Sequence, residues 1–93
     1  MIQSFGDKET ESLFKRENVK KLPSNLLQRA RNKLLIIHAA INENDLNIPP
    51  GNRFEKLKGD KKGLCSIRIN EQWRVIFKWA EGNAYDVSII DYH

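Results

Sequence analysis

The stretch GLCSIRINEQWRVIFKW, residues 63–79, contains two runs in which apolar and polar side chains alternate. Alternation with a period of two is typical of half-buried β-strands. The residues between the runs, 70–72, form a link short enough for a hairpin loop. This segment therefore predicts two antiparallel strands, and the other elements can be placed relative to them.

The length of this loop decides which residues face each other. Directly paired residues of antiparallel strands point to the same side of the sheet. A two-residue loop would put the apolar sets of the two strands on opposite sides, whereas a three-residue loop pairs Ile69 with Trp73. Arg68 then lies opposite Arg74 on the side away from the core. Like charges so placed are unfavourable, unless the pair shares a carboxylate, such as that of Asp86, or binds a phosphate.

The run AYDVSIIDY near the end of the chain predicts a further strand, which pairs with the strand that begins at Trp73. A hairpin loop of residues 81–83 would pair apolar positions with each other. These pairs are Val75 with Ile89 and Phe77 with Val87.

The end of this strand carries side chains that could take part in catalysis. The predicted register places Tyr92 diagonally from Arg74 on the open side of the sheet. Alternation directs Asp91 and His93 towards the core side, although a bulge or twist at the strand end could turn them outward. Two arginines, a phenol and a nearby imidazole are suited to breaking a phosphodiester.

A basic run, RFEKLKGDKKG, precedes these strands and predicts the first strand of the hairpin series. Before it, the sequence NIPPGN predicts a turn in which Gly51 takes the positive φ. The basic residues form either a solvated strand edge or an RNA-tracking surface; they are Arg53, Lys56, Lys58, Lys61 and Lys62. Glu55 either acts as a base or balances the neighbouring lysines.

The N-terminal half has helical periodicity. Residues 1–5 alternate like a short strand, and Asp7 is predicted to cap a helix over residues 8–18. Ser24 is predicted to cap a longer helix over residues 25–42. Its buried stripe would consist of Leu26, Ala30, Leu34, Ile37 and Ile41, with Arg29, Arg31 and Lys33 on its solvated side. The predicted fold is α+β, with two N-terminal helices on one face of a mostly antiparallel sheet.

The composition bounds the class of protein. The chain has 93 residues, of which 40% are hydrophobic and 30% charged, so we expect a single domain over residues 1–93. The net charge of +4 is compatible with an anionic partner. With Cys65 as the one cysteine, no internal disulfide can form, and no Cys/His metal site is expected. No signal peptide or membrane span is apparent, so we expect a cytoplasmic protein that needs no cofactor.

The segment PPGNRFEKLKGDKKGLCSIRINEQWRVIFKW, followed by AYDVSIIDYH, resembles the HigB-like toxins of bacterial type II toxin–antitoxin modules, within the RelE superfamily. The most specific parts are LKGD, SIRINEQWR and the final DYH. The resemblance implies a ribosome-dependent endoribonuclease that cuts translated mRNA. It also implies a helix-turn-helix antitoxin that holds the toxin inactive and through which the pair binds its own operator DNA.

The resemblance also implies roles for individual residues in a metal-independent reaction, in which a ribose 2′-OH attacks the adjacent phosphorus. His93 would act as general acid or general base, Tyr92 would position or stack a nucleobase, and Asp91 would orient His93. Arg68 and Arg74 are assigned to the phosphate by the register. Some relatives have a histidine where this sequence reads Glu55–Lys56, so Glu55 or His93 would replace that histidine as the general base.

Two other functions compete with this interpretation. The same superfamily includes toxins that poison DNA gyrase and cleave nothing. A non-catalytic module that binds RNA or the ribosome would keep the basic sheet and lose little on replacement of His93.

Overall fold

The computed structural model describes residues 1–92. Within them the helices are α1 (Lys8–Phe14) and α2 (Leu27–Ala39). The strands are β1 (Glu55–Lys56), β2 (Leu64–Arg68), β3 (Trp73–Ala80) and β4 (Asn83–Asp91). Short 3₁₀ turns cover Ser24–Leu26, Glu43–Asn47, Pro50–Asn52 and Gly59–Lys61. No helix in this part of the chain is long and apolar enough to cross a bilayer.

The four strands form one antiparallel sheet in the order β1-β2-β3-β4. Arg68 of β2 lies directly opposite Arg74 of β3, as the three-residue loop predicted. The backbone N–H of Ile69 donates to the carbonyl of Trp73 at 2.9 Å, which closes this hairpin. The register on which the candidate site depends is therefore confirmed.

The turn between β3 and β4 is tighter than predicted. Ala80 pairs with Asn83, so the loop contains only Glu81 and Gly82. Both loop residues have positive φ angles, of 51° and 78°. Two consecutive positive φ angles give the turn a twist that matches the twist of the two strands. The predicted loop of residues 81–83 was wrong.

A β-bulge in β4 restores the predicted alignment beyond this turn. Asp86 has a φ of 54°, and the register shifts between the partners of Ile76 and Lys78. One extra β4 residue is inserted there, so the predicted direct pairing of Phe77 with Val87 does not occur. Below the bulge Val75 pairs with Ile89 as predicted.

Residues 1–6 lie beside β4 in parallel orientation but form no continuous strand. Ile2 and Phe5 make isolated bridges to Ala84 and Val87. The N–H of Gln3 donates to the carbonyl of Ala84 at 2.8 Å, and that of Gly6 donates to the carbonyl of Val87. The sheet is thus mostly antiparallel, with one parallel edge.

Helix α1 begins where the sequence predicted and ends earlier. The carboxylate of Asp7 accepts a hydrogen bond from the backbone N–H of Thr10 at 2.7 Å, which satisfies a free donor of the first turn. Arg16, with a φ of 62°, stands beyond the last helical turn, and the helix stops at Phe14. The Thr10 hydroxyl is buried and accepts from the N–H of Ile89, which fixes α1 against β4.

Helix α2 is shorter than predicted at both ends. Ser24 does not cap it, because Ser24–Leu26 form a 3₁₀ turn with no side-chain cap. Four members of the predicted stripe are buried, but the helix ends at Ala39. As a consequence Ile41 is 78% exposed and Ala40 is buried in its place.

One hydrophobic core lies between the helices and the sheet. Cys65 is buried in it, and Trp73 and Trp79 pack against its margin, half-buried. All three lie on the core side, as the alternation predicted.

Strand β1 is shorter than the predicted run over residues 53–58. Glu55 pairs with Ser66 and Lys56 pairs with Cys65, and no further pairs form. The positive φ before this strand falls on Arg53, at 46°, and not on Gly51 as predicted.

Candidate active site

Arg74 is a buried cation held by three neighbours. It is 7% exposed, and its Nε donates to the Oγ of Ser66 at 2.9 Å. Its Nη2 donates to the backbone carbonyl of Arg53. Ser66 stands two residues before Arg68 on β2 and is itself fully buried. Arg74 therefore joins the sheet to the connection that leads into β1.

The third neighbour is the carboxylate of Glu55. The Nη1 of Arg74 lies 3.3 Å from Glu55 Oε1, and the Glu55 side chain is 51% exposed. The acid that balances Arg74 is thus Glu55 and not Asp86, which the sequence analysis had named as one alternative. Asp86 lies elsewhere, where its backbone N–H donates to the Oγ of Ser4 at 2.9 Å.

The environment of Arg74 concentrates positive charge. Burial lowers the pKa of Arg74, and the charges of Arg68 and Arg53 lower it further. The carboxylate of Glu55 and the phenol of Tyr92 act in the opposite direction. An arginine stays protonated in proteins, so these effects express the cost of holding its charge in the sheet. The carboxylate of Glu55 offsets part of that cost.

Tyr92 completes this part of the site. The guanidinium carbon of Arg74 lies 5.4 Å from the centre of the Tyr92 ring, a distance typical of a cation–π contact. The backbone N–H of Tyr92 donates to the carbonyl of Gln72 at 2.6 Å, and Gln72 Nε2 donates to Asp91 Oδ2 at 3.0 Å. The end of β4 is thus tied to the β2–β3 loop. His93 lies outside the described residues.

Arg68 differs from Arg74 although the two face each other. Arg68 is half-buried, and its Nε donates to the carbonyl of Asn70 at 3.0 Å. No carboxylate among residues 1–92 forms a salt bridge with it. The sequence analysis assigned the same role, phosphate binding, to both arginines. Within residues 1–92, all three guanidinium nitrogens of Arg74 contact protein groups, whereas only the Nε of Arg68 does.

The predicted RNA-binding residues lie at one edge of the sheet. Lys56 forms an ion pair with Glu43 at 3.0 Å, and this hydrogen bond to Glu43 raises the pKa of Lys56. Arg53 contributes its backbone carbonyl to Arg74. Lys58, Lys61 and Lys62 are exposed.

A groove of about 800 Å³ opens beside Arg68. Arg29 and Lys33 of α2 line it together with the β2–β3 loop. The sequence analysis placed both residues on the solvated side of their helix. Their spacing of four residues indicates a common side of the helix, but the approach of that side to Arg68 depends on how α2 packs.

The remaining titratable residues have packing roles. His38 Nδ1 accepts a hydrogen bond from the N–H of Ile2 at 3.2 Å, and its ring packs against Phe14. Burial raises the pKa of the Cys65 thiol, which keeps it protonated and weakly reactive. Within residues 1–92, no group of three or more His, Cys, Asp or Glu side chains is arranged to hold a metal ion.

The fold is similar to that of YafQ from E. coli. The crystal structure of a point mutant of YafQ superposes with a TM-score of 0.59 at 20% identity, covering 98% of this chain and 91% of YafQ. The structure of YafQ from strain BL21(DE3) gives a TM-score of 0.55 at 15% identity with the same coverage. The chain therefore shares the α+β fold of YafQ.

Sequence comparison identifies the family. Residues 3–93 match the HigB-like toxin family, described as the RelE-like toxin of the type II toxin-antitoxin system HigB. Toxin HigB-1 of Vibrio cholerae serotype O1 is 47% identical over 85 residues, which is 90% of both chains. Endoribonuclease HigB of Proteus vulgaris is 32% identical over 93 residues, the full length of both. The chain therefore belongs to the HigB-like toxins, and its partner is an antitoxin.

Proposed function

We propose that the protein is an endoribonuclease that cuts translated mRNA on the ribosome. The observation that carries the proposal is the group formed by Arg74, Tyr92 and Glu55. Beside this group lies Arg68, which forms no salt bridge within residues 1–92. This group combines a carboxylate that can accept a proton with cations that can bind a phosphate. The relative from Proteus vulgaris is named an endoribonuclease, which supports the same chemistry.

The reaction begins with attack of a ribose 2′-oxygen on the adjacent phosphorus. The new P–O2′ bond forms as the bond from phosphorus to the 5′-oxygen breaks, leaving a cyclic 2′,3′-phosphate and a free 5′-OH. Glu55 removes the 2′ proton, since its carboxylate is half-exposed and is oriented by Arg74. His93 supplies the proton for the leaving 5′-oxygen. Each such proton transfer contributes roughly 10²–10⁴-fold to the rate.

The two arginines have different roles in this proposal. All three guanidinium nitrogens of Arg74 already contact Ser66, Arg53 or Glu55. Arg74 therefore positions the general base, Glu55, and raises the local positive potential. Arg68 binds the non-bridging phosphate oxygens through its Nη groups. Charge-assisted bonds of this kind strengthen as negative charge develops on phosphate in the transition state.

Tyr92 and Asp91 shape the substrate position. The Tyr92 ring is half-buried under Arg74 and presents an aromatic surface against which a nucleobase can stack. Asp91, held by Gln72, orients the His93 that follows. The exposed residues Arg53, Lys56, Lys58, Lys61 and Lys62 attract RNA to this side of the molecule.

The partners follow from the same proposal. The antitoxin is a helix-turn-helix protein that inhibits the toxin and binds operator DNA for both. The toxin acts in the cytoplasm, where ribosomes carry its substrate, and the reaction uses no metal or other cofactor.

Production of the toxin without its antitoxin tests the function. New mRNA 5′ ends should appear within translated frames, and purified protein should cut a short message on ribosomes faster than the free message. Arg68→Gln should abolish the cuts, whereas Lys20→Gln, at an exposed position outside the site, should not. Intact messages with inhibited DNA supercoiling would indicate a gyrase poison. Intact messages with stalled translation would indicate a non-catalytic ribosome-binding module.

A further inference from the structure

We propose that the groove between α2 and the β2–β3 loop binds a phosphate of the RNA backbone next to the one that is cleaved. Arg29, Lys33 and Arg68 supply its positive charge. The inference rests on the proposed function and adds a second binding position to it. It places the RNA path over α2, in addition to the basic edge at β1.

The three cations of the groove have no acidic partner within the described chain. The salt bridges there involve other cations: Lys15 with Glu11, Lys56 with Glu43, and Arg74 with Glu55. Glu71 at the rim of the groove is exposed and makes none of these pairs. On the sheet, Lys56 and Arg74 are each paired with a carboxylate, whereas Arg29, Lys33 and Arg68 have no such partner within residues 1–92 and are available to a ligand.

The arrangement of Lys33 is unfavourable without an anion. Burial lowers the pKa of Lys33, and the neighbouring charge of Arg29 lowers it further. Like charges four residues apart on a helix repel each other. A bound phosphate would reverse both effects, because it restores a counter-charge at the ammonium.

Lys33 is nevertheless held in a defined place. Its Nζ donates to the side-chain oxygen of Asn52, which is fully buried. The amide nitrogen of Asn52 donates in turn to the carbonyls of Leu46 and Ile48, at 3.1 and 3.3 Å. One ammonium N–H is thus used to fix the side chain, and the others are available to the groove. Such fixed donors bind without a large loss of side-chain entropy.

The groove is continuous with the candidate active site through Arg68. This side chain lines the groove and also faces Arg74 across the β2–β3 ladder. Asn70 and Gln72 line the same groove, and the carbonyl of Gln72 accepts from the N–H of Tyr92. A strand of RNA whose cleaved phosphate lies at Arg68 therefore meets Arg29 and Lys33 with a neighbouring phosphate.

The test compares Arg29→Gln and the double variant Arg29→Gln/Lys33→Gln with a control of equal charge, Lys8→Gln/Lys20→Gln. The control residues are exposed and do not line the groove. Binding is measured against a 2′-O-methyl RNA oligonucleotide, which cannot be cut by 2′-OH attack, and separately against ribosomes without message. The logarithm of the affinity falls linearly with the logarithm of the salt concentration. Each lost phosphate contact makes the slope of this dependence shallower by about 0.7 for single-stranded RNA.

We expect the double variant to reduce the magnitude of this slope by about 0.7, the value for one phosphate, and the single variant to reduce it by less, with the control unchanged. A loss with the oligonucleotide supports the inference, whereas a loss confined to ribosomes would overturn it, because the groove would then bind ribosomal RNA. Wild-type slopes in both groove variants would overturn the inference, as would a loss of antitoxin binding alone. In either case the proposed function stands if the wild type cuts RNA, and it fails if the wild type neither binds nor cuts.

Discussion

The guanidinium of Arg74 lies over the ring of Tyr92, with 5.4 Å between the guanidinium carbon and the ring centre. Arg74 is buried in the third strand, whereas Tyr92 follows the last residue of the fourth. The contact helps to fix the position of Tyr92, whose backbone N–H also donates to the carbonyl of Gln72. The candidate site thus joins a rigid part of the sheet to a residue beyond its last strand.

This contact predicts different effects for two changes at Tyr92. Tyr92→Phe keeps the aromatic surface and should keep most of the activity. Tyr92→Ala removes it and should lower kcat/KM by roughly 5- to 150-fold, since stacking of a base on an aromatic ring contributes about 1–3 kcal/mol. Cleavage of a short message on ribosomes measures both. Equal losses in the two variants would show that the hydroxyl is required and the ring is not.

The two facing arginines should respond differently to the same substitution. Arg74→Gln leaves the hydroxyl of Ser66 and the carbonyl of Arg53 without their donors and should lower the free energy of unfolding by about 1–3 kcal/mol. Arg68→Gln should change it by no more than about 0.5 kcal/mol. The activity of Arg68→Gln should nevertheless fall by roughly 10²–10³-fold. Denaturant unfolding separates the two, and equal stability losses would contradict the distinction.

Glu55→Gln tests the general base. The amide is close in shape to the carboxylate and can still face Arg74, so we expect a folded protein that binds RNA. Cleavage should fall by roughly 10²–10⁴-fold because the proton acceptor is lost. Glu43→Gln is the matched control, since Glu43 pairs with the adjacent Lys56 but not with Arg74. Undiminished cleavage by Glu55→Gln would show that Glu55 is not the general base and would indicate His93 instead.

The two histidines of the chain provide a direct comparison. His93→Gln should leave folding and antitoxin binding intact and abolish cleavage, because an imidazole is the side chain that exchanges protons most readily near neutral pH. His38→Gln should weaken the packing of residues 1–6, since His38 accepts from Ile2, while the folded protein still cuts RNA. Thermal melting and ribosome-dependent cleavage of both variants are the measurements. Full activity without His93 would exclude it as the acid.

The bulge in β4 should be sensitive to the residue at position 86. Asp86 adopts a φ of 54°, which an ordinary L-residue occupies at a cost of about 1–2 kcal/mol and glycine occupies freely. Asp86→Ala should therefore be less stable than Asp86→Gly by about 1 kcal/mol. Denaturation midpoints measure the difference. Equal midpoints would show that the bulge relaxes to another conformation.

Alternation and loop length were sufficient to predict much of the site. The pairing of Arg68 with Arg74 followed from three residues between two alternating runs, and it is confirmed. The pairing of Val75 with Ile89 is also confirmed, although the loop used to predict it was wrong. The two-residue turn and the bulge at Asp86 shift the register in opposite directions and cancel below the bulge.

Other features depend on packing that no local pattern contains. The acid that balances Arg74 is Glu55, on a strand of only two residues whose position depends on the turn before it. The approach of Arg29 and Lys33 to Arg68 depends on the angle at which α2 crosses the sheet. Helix ends were predicted less well than helix faces, because Ser24 begins a 3₁₀ turn and Ala39 ends α2 early.

The pairing of residues 1–6 with β4 joins two segments that are far apart along the chain. Backbone hydrogen bonds join Gln3 to Ala84 and Gly6 to Val87, so residues 1–6 cannot take their place in the sheet before β4 has been made. Contacts of such separation form slowly, since a long loop must close first. Until β4 is made, β3 has no partner on that side and Tyr92 does not exist to meet Arg74. The candidate site can therefore be assembled only after β4 has folded against β3.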